Sequence, residues 1–205
     1  MRNYLSVLAA AALLATPAVA QAPADMPGRA DVSAIAGGTY KVDPNHSQVV
    51  WTVDHMGFSP LRGAFGQMTG TLALDPARPA ASKLVVDIPV SGLAVTSPDF
   101  DKHLKSGDFF EIAKHPTGRF VSTSVVPHGT SATITGDLTL KGVTKPVTLK
   151  AKFFGAGANP MNKAETIGFT ATAKIKRSDW GLGYAVPVVA DDVHLEITGA
   201  FEKAA

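Results

Sequence analysis

From Tyr40 to the end of the chain, apolar side chains return at every second position in run after run, and only a few turn residues separate one run from the next. That period places alternate side chains on opposite faces of an extended strand, so each run is a strand with one face to bury. Over His46–His55, Val49, Trp51, Val53 and His55 share a face with Ser47, while His46, Gln48, Val50, Thr52 and Asp54 share the other. Further runs follow over residues 64–75, 83–90, 119–126, 132–140, 147–154, 166–176 and 193–201. Gly66 and Gly70 mark places where the second run bends, and Pro89 marks an end of the third. Connections such as Pro127-His128-Gly129 and Lys141-Gly142-Val143 are too short to carry crossover helices. The expectation is an all-β fold of about eight antiparallel strands wound up and down into a closed barrel.

One stretch departs from the alternation. Between Asp99 and Ile112, Phe100, Leu104, Phe109, Phe110 and Ile112 crowd together at helical spacing, with Asp101, Lys102, Lys105, Asp108 and Glu111 mostly off that face. A single short helix in a chain of strands must bury its apolar stripe, which predicts a helical insert over 99–112 that caps one end of the barrel.

Residues 1–20 have the form of an export signal: Arg2, an apolar run from Leu5 to Ala15, and Ala18-Val19-Ala20, which predicts cleavage after Ala20. The run is shorter than the roughly 20 residues of a spanning helix. Gln21–Gly38, rich in Ala, Pro and Gly and without periodicity, reads as a flexible leader, which leaves 39–205 as one barrel domain. The absence of cysteine excludes disulfides, thiol chemistry and Cys-ligated zinc. One of the 19 Lys and Arg residues lies in the signal, so the remainder nearly balances the 17 Asp and Glu, without the basic excess that nucleic-acid binding needs. Residues 141–180 do carry eight Lys or Arg against Glu165 and Asp179, a pattern read as solvated strand faces.

The polar chemistry is sparse. His46 and His55 point to opposite faces of a regular strand and cannot share an ion. Asp99 and His103 are spaced as a local helix pair, His115 reads as a turn residue before Pro116, and His128 and His194 as exposed positions. No nucleophile elbow, phosphate loop or dinucleotide fingerprint occurs. Neither a catalytic set nor a metal site is expected. The positive signal is apolar: Val49, Trp51, Val53 and Phe65, then Leu84, Val86 and Ile88, then Phe120, Leu138 and Leu140, offer a continuous inner face. Leu104, Phe109 and Phe110 add to it from the insert, and His55 and His103 stand at the mouth, where a polar head group needs donors. Small residues at Ala64, Gly66, Gly70, Ala73, Gly168, Ala171 and Ala173 are expected to leave room inside. A lumen taking ten methylenes would contribute on the order of 8 kcal/mol before ordering costs.

The segments YKVDPNHSQVVWTVDHMG, GAFGQMTGTLALD, DKHLKSGDFFEIAKHPTGRFVSTSV, ITGDLTLKGVTKPVTL and IKRSDWGL, in that order, resemble the YceI-like family of exported, lipocalin-like polyisoprenoid-binding proteins. The resemblance spans about Tyr40 to Lys203, and His115 stands where that family commonly has Tyr. It implies an eight-stranded lipocalin-like barrel in the periplasm whose apolar lumen holds a long isoprenoid, quinone-like or related amphiphilic lipid, with no catalytic activity and no cofactor beyond that lipid. The implied partners are the lipid itself and a membrane b-type cytochrome or lipid donor, with a homodimer as an alternative state. Two other readings stand beside it: an enzyme acting on a small amphiphile through His46, Asp54, His55, Asp99 or His103, and a packed adaptor barrel that docks to a membrane redox partner.

Overall fold

The computed structural model describes residues 26–204, so the expected export signal over 1–20 and the first residues of the expected leader lie outside the described part. Eleven strand segments form one sheet: β1 (Gly38–Val42), β2 (Gln48–His55), β3 (Ser59–Phe65), β4 (Thr69–Leu74), β5 (Lys83–Pro89), β6 (Leu93–Ala94), β7 (Thr117–His128), β8 (Ser131–Leu140), β9 (Val143–Ala158), β10 (Glu165–Lys176) and β11 (Val189–Lys203). A helix, α1 (Pro98–Leu104), lies between β6 and β7.

The eleven segments make eight staves, because the first three staves are each broken once. β1 and β2 both pair antiparallel with β11, through Val42↔Phe201 and Trp51↔Leu195. β4 and β3 pair with β1 and β2 in turn, and β5 and β6 with β4 and β3. From β5 the ring runs through β7, β8, β9 and β10 to β11, every pair antiparallel, and closes. The ring of β1, β4, β5 and β7–β11 closes without a free edge, which is how a barrel satisfies its backbone groups, while β6 pairs only with β3. At the break between β1 and β2, the Ser47 hydroxyl takes the place of a ladder partner: it accepts from the Ala200 N–H at 3.0 Å and donates to the Ala200 carbonyl at 3.1 Å.

Alternation fixes which side chains face inward. Along β9, Val147, Leu149, Ala151 and Phe153 are buried while Thr148, Lys150, Lys152 and Phe154 are exposed. Lys150, Lys152, Lys174 and Lys176 of the basic 141–180 stretch accordingly lie on the outer face, Lys174 paired with Asp192 at 2.7 Å. Loops at one end, the insert end, are residues 56–58, 95–116, 141–142 and 177–188; the leader end has 75–82, 129–130 and 159–164.

Two expectations change. The helix stops at Leu104: Ser97 caps its start by accepting from Phe100 N–H, Pro98 occupies the first turn, and beyond Lys105 the chain folds back. Phe110 N–H and Ile112 N–H then bond the carbonyls of Leu104 and Lys105, so Phe109, Phe110 and Ile112 sit in successive turns and not on a helix face. The leader, expected to be flexible, is pinned over its described part. Arg29 and Ala156 exchange two backbone hydrogen bonds of 2.9 Å, continuing the sheet beside β9 where β8 has ended. Gly157 permits this approach, since a Cβ there would lie 2.0 Å from the Pro27 carbonyl oxygen. Tyr40 completes the tether by donating its hydroxyl to the Ala36 carbonyl at 2.7 Å.

Candidate functional site

The inward faces of the staves enclose two chambers that share Leu84, Leu149, Ile197 and Phe201 in their walls. The chamber toward the insert has a volume of about 210 Å³, and the chamber toward the leader about 370 Å³. The leader-side volume is on the scale of a small-molecule site, and the insert-side volume lies somewhat below that scale.

Most of the expected lining residues meet on the insert-side chamber. β2 contributes Val49, Trp51 and Val53, β3 contributes Phe65, and β5 contributes Leu84, Val86 and Ile88. Phe120 of β7, Leu138 and Leu140 of β8, and Phe109 and Phe110 of the insert complete that set. Two expected residues lie off that wall. His55 ends β2 beside Ser59 and Val189, at the rim and off the chamber wall. Leu104 is buried with Trp51, Val53, Leu93 and Val193, where it anchors α1 behind the wall. Of the small residues expected to open the interior, Ala171 alone borders a chamber. Gly70 serves backbone contact instead, since a Cβ there would sit 2.1 Å from the Val85 carbonyl oxygen.

The insert forms an aromatic lid. Phe110 meets Phe65 edge-on with ring centroids 5.4 Å apart, and Phe109 lies 5.1 Å from His103 and 5.4 Å from Tyr184. Edge-to-face contacts in this range are favourable beyond simple burial. His103 pairs with Asp108 at 3.1 Å, and this replaces the Asp99 pairing expected from helical spacing because the chain turns back after Lys105. His46 pairs with Asp43 in the turn between β1 and β2, remote from His55. Among the described residues no group of three His, Asp or Glu side chains is placed to hold a metal ion.

Sequence reasoning missed Arg177, which heads the turn Arg177–Trp180 and stands in the wall of the insert-side chamber at 7% exposure. Its guanidinium donates to the carbonyls of Ala190, Leu182, Tyr184 and Val189. Burial pulls its pKa down, and the nearby Asp191 charge opposes that shift. Asp191 accepts from Ser178 N–H at 2.8 Å and from its hydroxyl at 2.7 Å. Burial would raise this carboxyl, but the two Ser178 bonds and the Arg177 and Lys176 charges hold it below its ordinary value. Beside it Trp180, 2% exposed, donates Nε1–H to the Leu138 carbonyl at 3.0 Å. Arg177 was visible within IKRSDWGL, but nothing in its spacing shows that one side chain would gather four carbonyls between residues 182 and 190. The leader-side chamber differs in its lining: Ser82, Lys83, Thr130, Ser131 and Thr170 bring polar groups to it, and Val32 and Ile35 of the leader close over it.

Residues 40–201 match the model of the YceI-like domain. A UPF0312 protein of Pseudomonas putida is 39% identical over 168 residues, 80% of this chain and 87% of that protein. A UPF0312 protein of Pseudomonas aeruginosa is 39% identical over 158 residues, covering 76% and 82% of the two chains. Among solved structures, BcnA of Burkholderia cenocepacia superposes with a TM-score of 0.70 at 27% identity, over 78% of this chain and 98% of that one. The YceI protein of Campylobacter jejuni gives 0.65 at 29% identity, over 74% and 90%. A polyisoprenoid-binding domain from Saccharophagus degradans shares the fold at a TM-score of 0.61 and 12% identity, over 80% and 98%. With the domain match running through nearly every strand of the barrel, the chain belongs to the YceI-like family.

Proposed function

We propose that the protein binds a long-chain isoprenoid or quinone-like lipid in the barrel lumen and carries or sequesters it in the periplasm. The observation that carries this reading is the pair of adjoining chambers walled by inward side chains of the staves, the insert-side one almost wholly apolar and lidded by Phe109 and Phe110. The polyisoprenoid-binding domain that shares the fold supports the same class of ligand. The reading is of binding and not of catalysis: the insert-side chamber presents no acid, base or nucleophile, and the guanidinium of Arg177 is given over to carbonyls. The periplasmic setting rests on the signal-like residues 1–20, and a membrane b-type cytochrome or lipid donor is the proposed source or destination.

The test is to purify the mature protein from an exporting host, extract it with organic solvent and identify bound lipid by mass spectrometry. A stoichiometric isoprenoid or quinone is the expected result. A protein that purifies empty and takes up no added lipid would refute the proposal and leave the adaptor reading.

A further inference from the structure

The two chambers adjoin at four side chains common to both walls: Leu84 of β5, Leu149 of β9, and Ile197 and Phe201 of β11. Two of the four are held in place by their neighbours. Leu84 donates its N–H to the buried Ser122 hydroxyl at 2.8 Å, where the β7–β8 register shifts. Its side chain packs against two core clusters, one around Tyr40 and Phe153 and the other around Leu138 and Trp180. Phe201, 6% exposed, shares its face of β11 with Ile197 and Gly199. A Cβ on Gly199 would lie 2.9 Å from Phe201 Cε2, so the edge of the ring occupies the space a side chain would fill and lies back along its own strand.

Neither chamber alone suits a long chain. Sites for drug-sized ligands run to about 300–1,000 Å³, whereas these hold about 210 and 370 Å³. Resting on the lumen reading above, we infer that Leu84, Leu149, Ile197 and Phe201 form a waist through which a long prenyl chain threads to occupy both chambers at once, and that this waist makes the protein selective for long chains over short ones. A short chain lodges in one chamber and buries only what that chamber covers. A threaded chain adds the contacts of the second chamber, and each further buried methylene strengthens binding about fourfold. Close-packed side chains let a chain pass only by changing rotamer, so the waist also governs how fast a long chain enters.

The experiment titrates the delipidated protein with two prenyl alcohols, geraniol and octaprenol, which share a head group and differ in length. In the wild type geraniol occupies each chamber, octaprenol binds far more tightly, and a single octaprenol displaces geraniol from both. Leu84→Trp, which fills the waist, lowers octaprenol affinity about a hundredfold, the worth of three or four excluded methylenes, and geraniol affinity by no more than about threefold. Phe201→Leu, which widens the waist, speeds the uptake of octaprenol more than that of geraniol. Octaprenol that leaves one geraniol in place, equal losses of the two affinities in Leu84→Trp, or equal changes of the two uptake rates in Phe201→Leu would overturn the waist while leaving the lumen reading intact. Binding of neither alcohol by the folded wild type would fell the lumen reading itself. Displacement is read on the wild type, so the inference stays testable even if a variant folds poorly.

Discussion

At the scale of single residues, Arg177 does structural work that its charge alone would not suggest. Two carbonyls of the 177–188 loop, Leu182 and Tyr184, and two at the start of β11, Val189 and Ala190, converge on one planar fork, and an ammonium group cannot meet that geometry. Arg177→Lys is expected to lower stability by about 2 kcal/mol or more, measured by denaturant unfolding, because buried carbonyls lose donors. Asp191 supplies a pH signature for the same corner. Its carboxyl is held below the ordinary 3.8, so its contribution to stability is present above that value and is lost as pH falls through the folded pKa. Trp180 emission should therefore begin to report loosening of the 177–182 turn only below about pH 3.8, and Asp191→Asn should abolish that acid limb. A profile unchanged by the substitution would assign the limb to other carboxylates.

At the scale of elements, the alternation that marks a strand was legible wherever one face is buried, which is why β7, β8, β9, β10 and β11 were readable. The breaks within the first three staves were only partly legible. Asp43-Pro44-Asn45 reads as a turn, but nothing local shows that β1 and β2 on either side of it share the partner β11. The insert misled for a related reason: its apolar spacing mimics a helix, yet Ser106-Gly107-Asp108 interrupts it, and Phe109 and Phe110 bury themselves from a turn. The candidate lining was readable from parity, whereas Arg177 and the leader contacts depend on tertiary approach. That approach is testable at Gly157. Gly157→Val should push residues 27–29 off β9 and speed amide exchange at Arg29 and Ala156 at least tenfold, with the barrel still folded, as the loss of two backbone bonds implies. Unchanged protection would show that the leader adjusts without detaching.

At the scale of the whole molecule, the lumen couples ligand to stability. A ligand bound only by the folded state stabilises it by about 2.7 kcal/mol at a hundredfold excess over Kd. For a domain of this size that corresponds to a rise in Tm of roughly 5–10 °C, read by scanning calorimetry with and without a tetraprenyl benzoquinone. A barrel whose interior does not admit the lipid would show no shift. The seam of the ring has a different consequence. β11 holds both β1 and β2, so the first and last strands fasten each other and most of the chain lies between them. Pairings so distant in sequence form late and slowly. Until the fifteen residues of β11 have left the ribosome, the ring stays an open ribbon, and that strand is the latch that shuts it.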